Sequence, residues 1–593
     1  MYKKSLPRQK NLFTRLDSRR LKKLNSSKEK LFYKLITSNI DESIFSVLYN
    51  QKQGRPNSSV RSLVASIIYI NYKGWTHEDF FDSLDFNLLT RAAISNLDIK
   101  GKIYSPATFY NFENRLLKYW QETGINLLEL IFDKLTSQQV LDLKIKLDII
   151  RTDSFQAMSN IACYSRTRLL VEGIRRVFRV LNKDDKDSFL ENFPSYLEKS
   201  SSKFIYDLDD NNILNKLAKD YQKIISTYYL RYKNIHIFTL FKRLYDEHFI
   251  TVGNEIKPKE ISSIASNSLI TTEDFKITLE KLSLKPKNIK DIKGAKESKD
   301  LGTSSLQSLD DKDATFRTKR GKNYQGEVIT ISESCNPENS VNLLIDVDVS
   351  SNNIDDSKIF SRRFFRIKNR YSDVNEIHVD GAYPSNKNDE ITSSLGISLI
   401  PTGIRGRKAA VEIRINLTKI GDYKVSCPIQ EVIANKGKKR FKALFDYDKC
   451  NDCPFKNECK LRNSKKGKVY YFSIKQAKSN IRNRVINKIP KERQTLRANV
   501  EATVKEFGKN FNHKGKLKIR GKFKTLLYAF SMAISINFKR IIKYKFALPG
   551  IPTSKNQKLE EKVDVLVEFY AFFTIFLLFI EILEYKPMKR GIN

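Results

Sequence analysis

Four runs between residues 326 and 401 are strand-like. They are GEVITISES (326–334), VNLLIDVDVS (341–350), NEIHVD (375–380) and GISLIP (396–401). In NEIHVD the apolar Ile377 and Val379 share one parity, the period of two that turns one side of a β-strand toward a core. DDSKIFSRRFFRIKNRY, between the second and third runs, predicts a helix. Far upstream, KIKLDIIRTDSF (144–155) alternates in the same way, with Ile145, Leu147 and Ile149 on one face. The expected order is a strand at 144–152, a helical insertion, two strands, a helix, a strand, a helix, a strand and later a long helix. A mixed sheet with helices on its faces, an α/β fold, satisfies that order. Ligands of such sheets sit beyond the carboxyl ends of strands.

Two aspartates fall at predicted strand ends. Asp153 lies two positions beyond Arg151 on the parity of Ile145, Leu147 and Ile149, and Asp380 follows Val379, with Gly381 allowing an immediate turn. Each alone reads equally as a loop-capping Asp in an Asx-turn. Drawn from distant parts of the chain, they could meet at one rim, where two carboxylates repel unless a cation lies between them. Hard oxygen ligands select Mg²⁺ or Mn²⁺. Asp148, Asp346 and Asp348 fall at strand interiors and are expected to face solvent. A third acid, Glu501, lies in ERQTLRANVEATVKEFGKN, where Arg493, Arg497, Glu501 and Lys505 recur every four residues. On one helix they form a polar stripe of ordinary i,i+4 pairs, beside an apolar stripe of Leu496, Val500, Val504 and Phe507.

The chain of 593 residues carries 107 Lys and Arg against 67 Asp and Glu, a formal charge of +40. An excess that large is the electrostatic footprint of a polyanion partner, nucleic acid above all. Basic side chains cluster in TGIRGRKAA (Arg405, Arg407, Lys408) and in HKGKLKIRGKFK (Lys516, Lys518, Arg520, Lys522). Each cluster is either a solvated face or a phosphate clamp beside the acidic rim.

Six cysteines do not make a disulfide scaffold in a chain of this length. Cys427, Cys450, Cys453 and Cys459 follow the layout C-x22-C-x2-C-x5-C. Four thiolates satisfy a tetrahedral Zn²⁺ and leave no position for water, which is a structural site. Cys163 and Cys335 stand apart and read as buried thiols. None of the five histidines has a partner at metal or nucleophile spacing, and His378 reads as packing. The N-terminus lacks the apolar core of a secretory signal. FYAFFTIFLLFI (569–580) is short of the roughly 20 residues a spanning helix needs; it reads as a buried or partner-facing helix. No membrane partner is expected.

The ordered motifs RTDSFQAMSNI, TRLLVEGIRRV, NNIDDSKIF, HVDGAYPSN, LIPTGIRGRK, the cysteine cluster and LRANVEATVKEFG resemble one family. It is the DDE transposases of bacterial insertion sequences, in the eleven-eighty-two-type branch of the insertion-sequence-four-like group. The resemblance spans roughly residues 40–545. It implies an RNase H-like mixed-sheet core in which two Asp and one Glu hold two divalent metals, Mg²⁺ or Mn²⁺; on the matching motifs these are Asp153, Asp380 and Glu501. It further implies DNA cleavage and strand transfer at transposon inverted repeats and target, at least a dimer in the working complex, and a cytoplasmic location. Arg497 and Lys505 or Lys509 would contact phosphates or steady Glu501. The Tyr-x2-Arg-x3-Glu-x6-Lys pattern of the broader group is incomplete here: Gln494 stands at the Tyr position, and Lys509 lies one residue beyond the Lys position.

The expected organisation is a basic arm (1–39) and a helical N-terminal domain (40–130) for DNA binding or dimerisation. The catalytic core starts at 140–180 and is interrupted by a helical insertion and charged linker (181–325), of which 283–325 is expected to be solvated. The core resumes at 326–400. An insertion with the four-cysteine cluster (401–480), the catalytic helix with the basic end of the core (481–545) and a hydrophobic tail (546–593) complete it. Two other readings fit the same core: a structure-specific nuclease, and a catalytically inactive DNA-binding relative.

Overall fold

The computed structural model describes residues 2, 16–50, 55–94, 104–198, 200, 204, 213–252, 255–261, 300–402, 410–418, 420–437 and 439–547. They fall into two compact units, one within Met1–Tyr69, Trp75–Phe112 and Ser535–Asn593, the other within Ile70–Gly74 and Glu113–Ile534.

The first unit is built from helices, among them Ser18–Asn25, Lys28–Leu35, His77–Phe86 and Leu88–Ala93. Thr76 and Asp79 form a reciprocal capping box that fixes the start of the third. The Thr108 N–H donates to Ser105 Oγ, so Ser105 caps the helix that opens at Pro106. Phe32, Phe45, Phe80 and Phe109 are fully buried, and Phe32 meets Tyr69 and Phe538 edge-on, each at 5.2 Å.

The second unit holds a mixed sheet. Its strands are β1 (Ile149–Met158), β2 (Thr315–Lys319), β3 (Lys322–Ser334), β4 (Leu344–Ser351), β5 (Glu376–Val379) and β6 (Ser398–Pro401). The order is β6-β5-β1-β3, with both β2 and β4 pairing β3. β6, β5 and β1 run parallel, while β1–β3 and β3–β4 are antiparallel. Val328, Ile329, Ile331, Ile345, Val347 and Ile377 fill the core. Gly326 has φ +148°, and a Cβ there would run into the backbone of Ala157, Met158 and Ser159, so only Gly lets β1 and β3 approach at that corner.

Eight helices of the second unit matter below: α1 (Leu127–Asp142), α2 (Arg166–Val180), α3 (Ile213–Tyr232), α4 (His236–His248), α5 (Asp356–Arg370), α6 (Asn386–Ser394), α7 (Ile474–Asn487) and α8 (Val500–Gly508); α9 (Lys522–Ala547) begins in this unit and continues into the residues of the first. α2, α3 and α4 share a separate core of Leu169, Ile174, Leu217, Tyr221, Phe241 and Leu244. The Tyr221 and Phe241 rings stack there at 4.1 Å. Between β6 and α7 lie two small sheets. β7 (Arg414–Leu417), β8 (Tyr423–Ser426) and β9 (Glu431–Ile433) form one; β10 (Asn435–Lys436), β11 (Phe441–Phe445), β12 (Arg462–Ser464) and β13 (Gly467–Phe472) form the other. Ile415, Val425, Ala443, Phe445, Phe472 and Ala477 are their shared core.

Several sequence expectations change. The first strand starts at Ile149 and runs past Asp153 to Met158, because residues 144–148 serve the preceding helix and a neighbouring loop. The Ile145 N–H returns to Val140 O, Lys144 has φ 51°, and the Lys146 N–H donates to Asn339 Oδ1. Asp346 is buried, not solvated: Arg363 of α5 reaches it. Arg366 bonds Glu129 and Asp133 of α1 at 2.6 Å each, tying α1, β4 and α5 together. Within the expected linker, Leu306, Leu309, Ala314 and Phe316 are buried and β2 forms, so this part is core; residues 262–299 lie outside the described residues. Cys163 is exposed, while Cys335 is buried as expected.

Candidate active site

β1 gives up its parallel neighbour before its end. Its ladder with β5 stops at Arg151↔His378, whereas pairing with β3 continues through Asp153↔Ile331 to Met158. Asp380 leaves β5 one residue past Val379, at the turn where the Gly381 N–H donates to Asp380 Oδ1 at 2.7 Å. Asp153 therefore lies within a strand, not at its end, but beyond the last β1–β5 pair, on the side where Asp380 departs.

Side-chain parity then sorts the face. Arg151, Asp153 and Phe155 share one side of β1, and the directly opposed Glu333 of β3 shares it with Arg151. α8 lies on that side: Phe507 meets Phe155 with ring centroids 5.4 Å apart, and Thr503 Oγ1 donates to Glu333 Oε2 at 2.8 Å. Arg151 Nε donates to Glu333 Oε1 at 2.6 Å, and its Nη1 to Leu496 O at 2.9 Å. The ion pair is buried, with side-chain exposures of 6% and 0%. A second anchor sits on β5, where the buried His378 Nε2 bonds Glu376 Oε1 at 2.6 Å and Arg493 pairs with the other Glu376 oxygen. His378 is thus part of a polar network, which its isolated position in the sequence did not reveal. The His378 bond, opposed by burial and helped by Arg493, holds the Glu376 carboxyl below its ordinary value.

The polar stripe expected on one helix is broken. A short helix ends at Thr495, Leu496 to Asn499 form a turn, and α8 begins at Val500. The break frees Arg497 from the helix surface and aims it at the sheet. Its Nη2 donates to Asp153 Oδ2 at 2.6 Å, and its Nη1 stands 3.8 Å from Glu501 Oε1. Arg497 and Asp153 are mostly enclosed, while the Glu501 side chain is two-thirds exposed in the first turn of α8. Asp153 Oδ1 accepts the Ser154 N–H at 2.8 Å.

Burial raises the Asp153 carboxyl above its ordinary value; Arg497 and the Ser154 N–H pull against it, and the Asp380 charge adds to the rise. For Arg497, burial alone lowers its pKa, but the fields of Asp153, Asp380 and Glu501 together turn the balance upward. Arg497 thus lies within the electrostatic reach of all three acids. Tyr383, three residues past Asp380, is buried against Phe360 of α5. Burial first, then Asp153, raises its hydroxyl pKa strongly. Its sequence signal was only its place in HVDGAYPSN.

The other candidates are spread more widely. Lys505 and Lys509 are exposed on or just past α8. Lys516 Nζ donates to Ile161 O at 2.5 Å, Lys518 Nζ to Gly74 O at 3.3 Å and Arg520 Nε to Asn160 O at 2.7 Å, while Lys522 opens α9. Lys516 bridges Met158, at the end of β1 away from the β5 ladder, so this cluster does not border the acidic rim. Arg405, Arg407 and Lys408, and the 569–580 segment, lie outside the described residues.

Cys427, Cys450, Cys453 and Cys459 line one pocket, closed by Val411, Phe445, Phe455 and Leu461. Gln430 serves two of the sulfurs: its backbone N–H donates to Cys427 Sγ at 3.3 Å and its Nε2 to Cys450 Sγ at 3.2 Å. No cysteine is in a disulfide. Among the described residues no group of three or more His, Cys, Asp or Glu is arranged to hold a metal ion. That holds for the four thiols and for the acidic triad alike.

Residues 423–542 match the family model described as transposase DDE domain. The match takes in Arg497, Glu501 and all four clustered cysteines, but not Asp153 or Asp380. No curated protein matches the chain, and no solved structure does. No helix of the described residues is long and apolar enough to cross a membrane.

Proposed function

We propose that the chain is a DNA transposase whose Asp153, Asp380 and Glu501 form one acidic centre for phosphodiester hydrolysis and strand transfer. The observation that carries the reading is the Arg497 contact: one guanidinium, inside the matched DDE region, bonds Asp153 of β1 and faces Glu501 of α8. Two supports are independent of it. The sheet order β6-β5-β1-β3-β4, with three parallel strands followed by two antiparallel ones, is that expected of an RNase H-like core. The formal charge of +40 suits a DNA partner.

DDE transposases generally use divalent metal ions. As they stand, the three carboxylates do not fit one, so the roles below are those of the chain's own groups. β1 and the turn after β5 present Asp153 and Asp380 from rigid elements, and α8 carries Glu501, which faces Arg497 beside them. Arg151–Glu333–Thr503 and His378–Glu376–Arg493 hold the α8 region against the sheet. A guanidinium such as Arg497 recognises phosphate oxygens in a bidentate manner, and exposed Lys505 and Lys509 extend a phosphate-binding surface beside it. Arg405, Arg407, Lys408, Lys516, Lys518, Arg520 and Lys522 are proposed as further backbone contacts. Working on two DNA ends calls for at least a dimer.

The four cysteines are proposed to take up a structural Zn²⁺. Their convergence on one pocket, without disulfides and with N–H donors on two sulfurs, supports that reading, although the sulfurs must draw closer to enclose an ion. Incubating the purified protein with duplex DNA from the flanks of its gene tests the function. Cleavage with exposed 3′-hydroxyls, followed by joining to a second duplex, is expected; cutting without joining would point to a nuclease.

A further inference from the structure

The acidic triad as it stands is not arranged to hold a metal ion. Asp153 is already occupied: Oδ1 accepts the Ser154 N–H and Oδ2 accepts Arg497 Nη2. The same guanidinium stands 3.8 Å from Glu501 and feels the charge of Asp380. Asp153 feels the charge of Asp380, and the cation beside Asp153 is one the protein supplies itself, Arg497. An ordinary structural salt bridge would satisfy the guanidinium completely. Arg497 instead leaves its buried Nε without a hydrogen-bond partner in the structure, and one of its two acids, Glu501, is largely in solvent. Arg497 also sits in the turn between two helices, outside either helix.

We propose that Arg497 is an internal counter-ion that keeps the acidic centre closed to divalent cations until a DNA phosphate draws its guanidinium away. This rests on the reading of Asp153, Asp380 and Glu501 as the cation-binding acids. While Arg497 holds Asp153, an entering divalent ion meets a positive charge and a carboxylate already in use. A phosphodiester offers the guanidinium a bidentate partner; once it turns, Asp153 is released and the three carboxylates repel one another until a cation enters. Cation and DNA then bind cooperatively, and linkage requires each to raise the affinity of the other by the same factor. The arrangement restrains cation-dependent cutting until DNA is seated.

The test is Mn²⁺ binding to the full-length protein, read from the electron paramagnetic resonance signal of free Mn²⁺, without and with a duplex from the gene's flank. Wild type is expected to bind Mn²⁺ at least tenfold more tightly with the duplex than without it. Arg497→Gln is expected to bind Mn²⁺ without DNA at least tenfold more tightly than wild type, with little further gain from the duplex. Arg497→Lys, which keeps the charge, should stay near wild type without DNA and controls for disturbed folding. Arg497→Gln binding no more tightly than wild type would overturn the proposal. Asp153→Asn separates the two levels of failure. If it abolishes duplex-dependent Mn²⁺ binding while Arg497→Gln has no effect, only the counter-ion role fails. If it binds like wild type, the assignment of the acids fails as well.

Discussion

Removing Glu333 should loosen α8 more than any single exposed change. Glu333 is fully buried, accepts from Arg151 Nε at 2.6 Å and from Thr503 Oγ1 at 2.8 Å, and so joins β1, β3 and α8 at one carboxylate. Glu333→Ala leaves the Arg151 guanidinium enclosed without its counter-charge. Breaking one side of a buried pair costs about 3–5 kcal/mol, and losing the Thr503 Oγ1 hydrogen bond adds about 1 kcal/mol. Thr503→Val alone should cost about 1 kcal/mol, since Arg151 still satisfies Glu333. The double change Arg151→Met with Glu333→Leu should recover most of the loss, because neither charge is then stranded. Urea unfolding followed by circular dichroism gives the stabilities, and amide hydrogen exchange across residues 496–508 reports whether α8 lifts from the sheet. A cost below about 1 kcal/mol for Glu333→Ala, or unchanged exchange in α8, would refute the view that this carboxylate docks the helix.

Three further outcomes follow from other parts of the molecule. Burial first, then Asp311 and Asp313, pushes the Glu327 carboxyl from 4.5 to about 8; its contribution to stability is therefore complete below about pH 4.5 and lost as pH rises through 8. The 3.5-unit gap (8 − 4.5) corresponds to on the order of 5 kcal/mol, so Glu327→Gln should flatten the fall in melting temperature between pH 5 and 9, and an unchanged profile would count against it. Gly326→Ala should lower stability by several kcal/mol or prevent folding, since its Cβ would stand 2.7 Å from Ser159 N; a melting temperature within a few degrees of wild type would contradict the geometry. The purified protein should carry one Zn²⁺ per chain by elemental analysis, and Cys453→Ser should lose it; a metal-free wild type with full thermal stability would remove the zinc proposal.

The sheet was legible because its strands carry their pattern locally. In NEIHVD the apolar Ile377 and Val379 share one parity and both are fully buried in the sheet, and DDSKIFSRRFFRIKNRY carries its own helical pattern between two strands. What was hidden depends on partners far away in the chain. Asp346 resembles any outward polar residue of a strand until Arg363 folds over it, and the stretch around Leu306 resembles a linker until α2 and α4 cover it. The site shows the same division. Asp380 was recognisable from its Gly-turn, but the reach of β1 beyond Asp153 depends on β3, which pairs with it from more than a hundred residues downstream. A period of four made Arg493, Arg497 and Glu501 look like one helical stripe, whereas the break at Leu496–Asn499 is stabilised by Arg151 gripping the Leu496 carbonyl. No local pattern encodes that grip.

The central claim is that Asp153, Asp380 and Glu501 act as one centre on DNA. Its most direct test is Mg²⁺-dependent cleavage of duplex DNA from the flanks of the gene by wild type and by Asp153→Asn, with fold and DNA affinity checked in both. Wild type should release 3′-hydroxyl ends and join them to target DNA, and Asp153→Asn should bind the duplex with similar affinity but produce neither product. Cleavage and joining by Asp153→Asn at the wild-type rate would contradict the account.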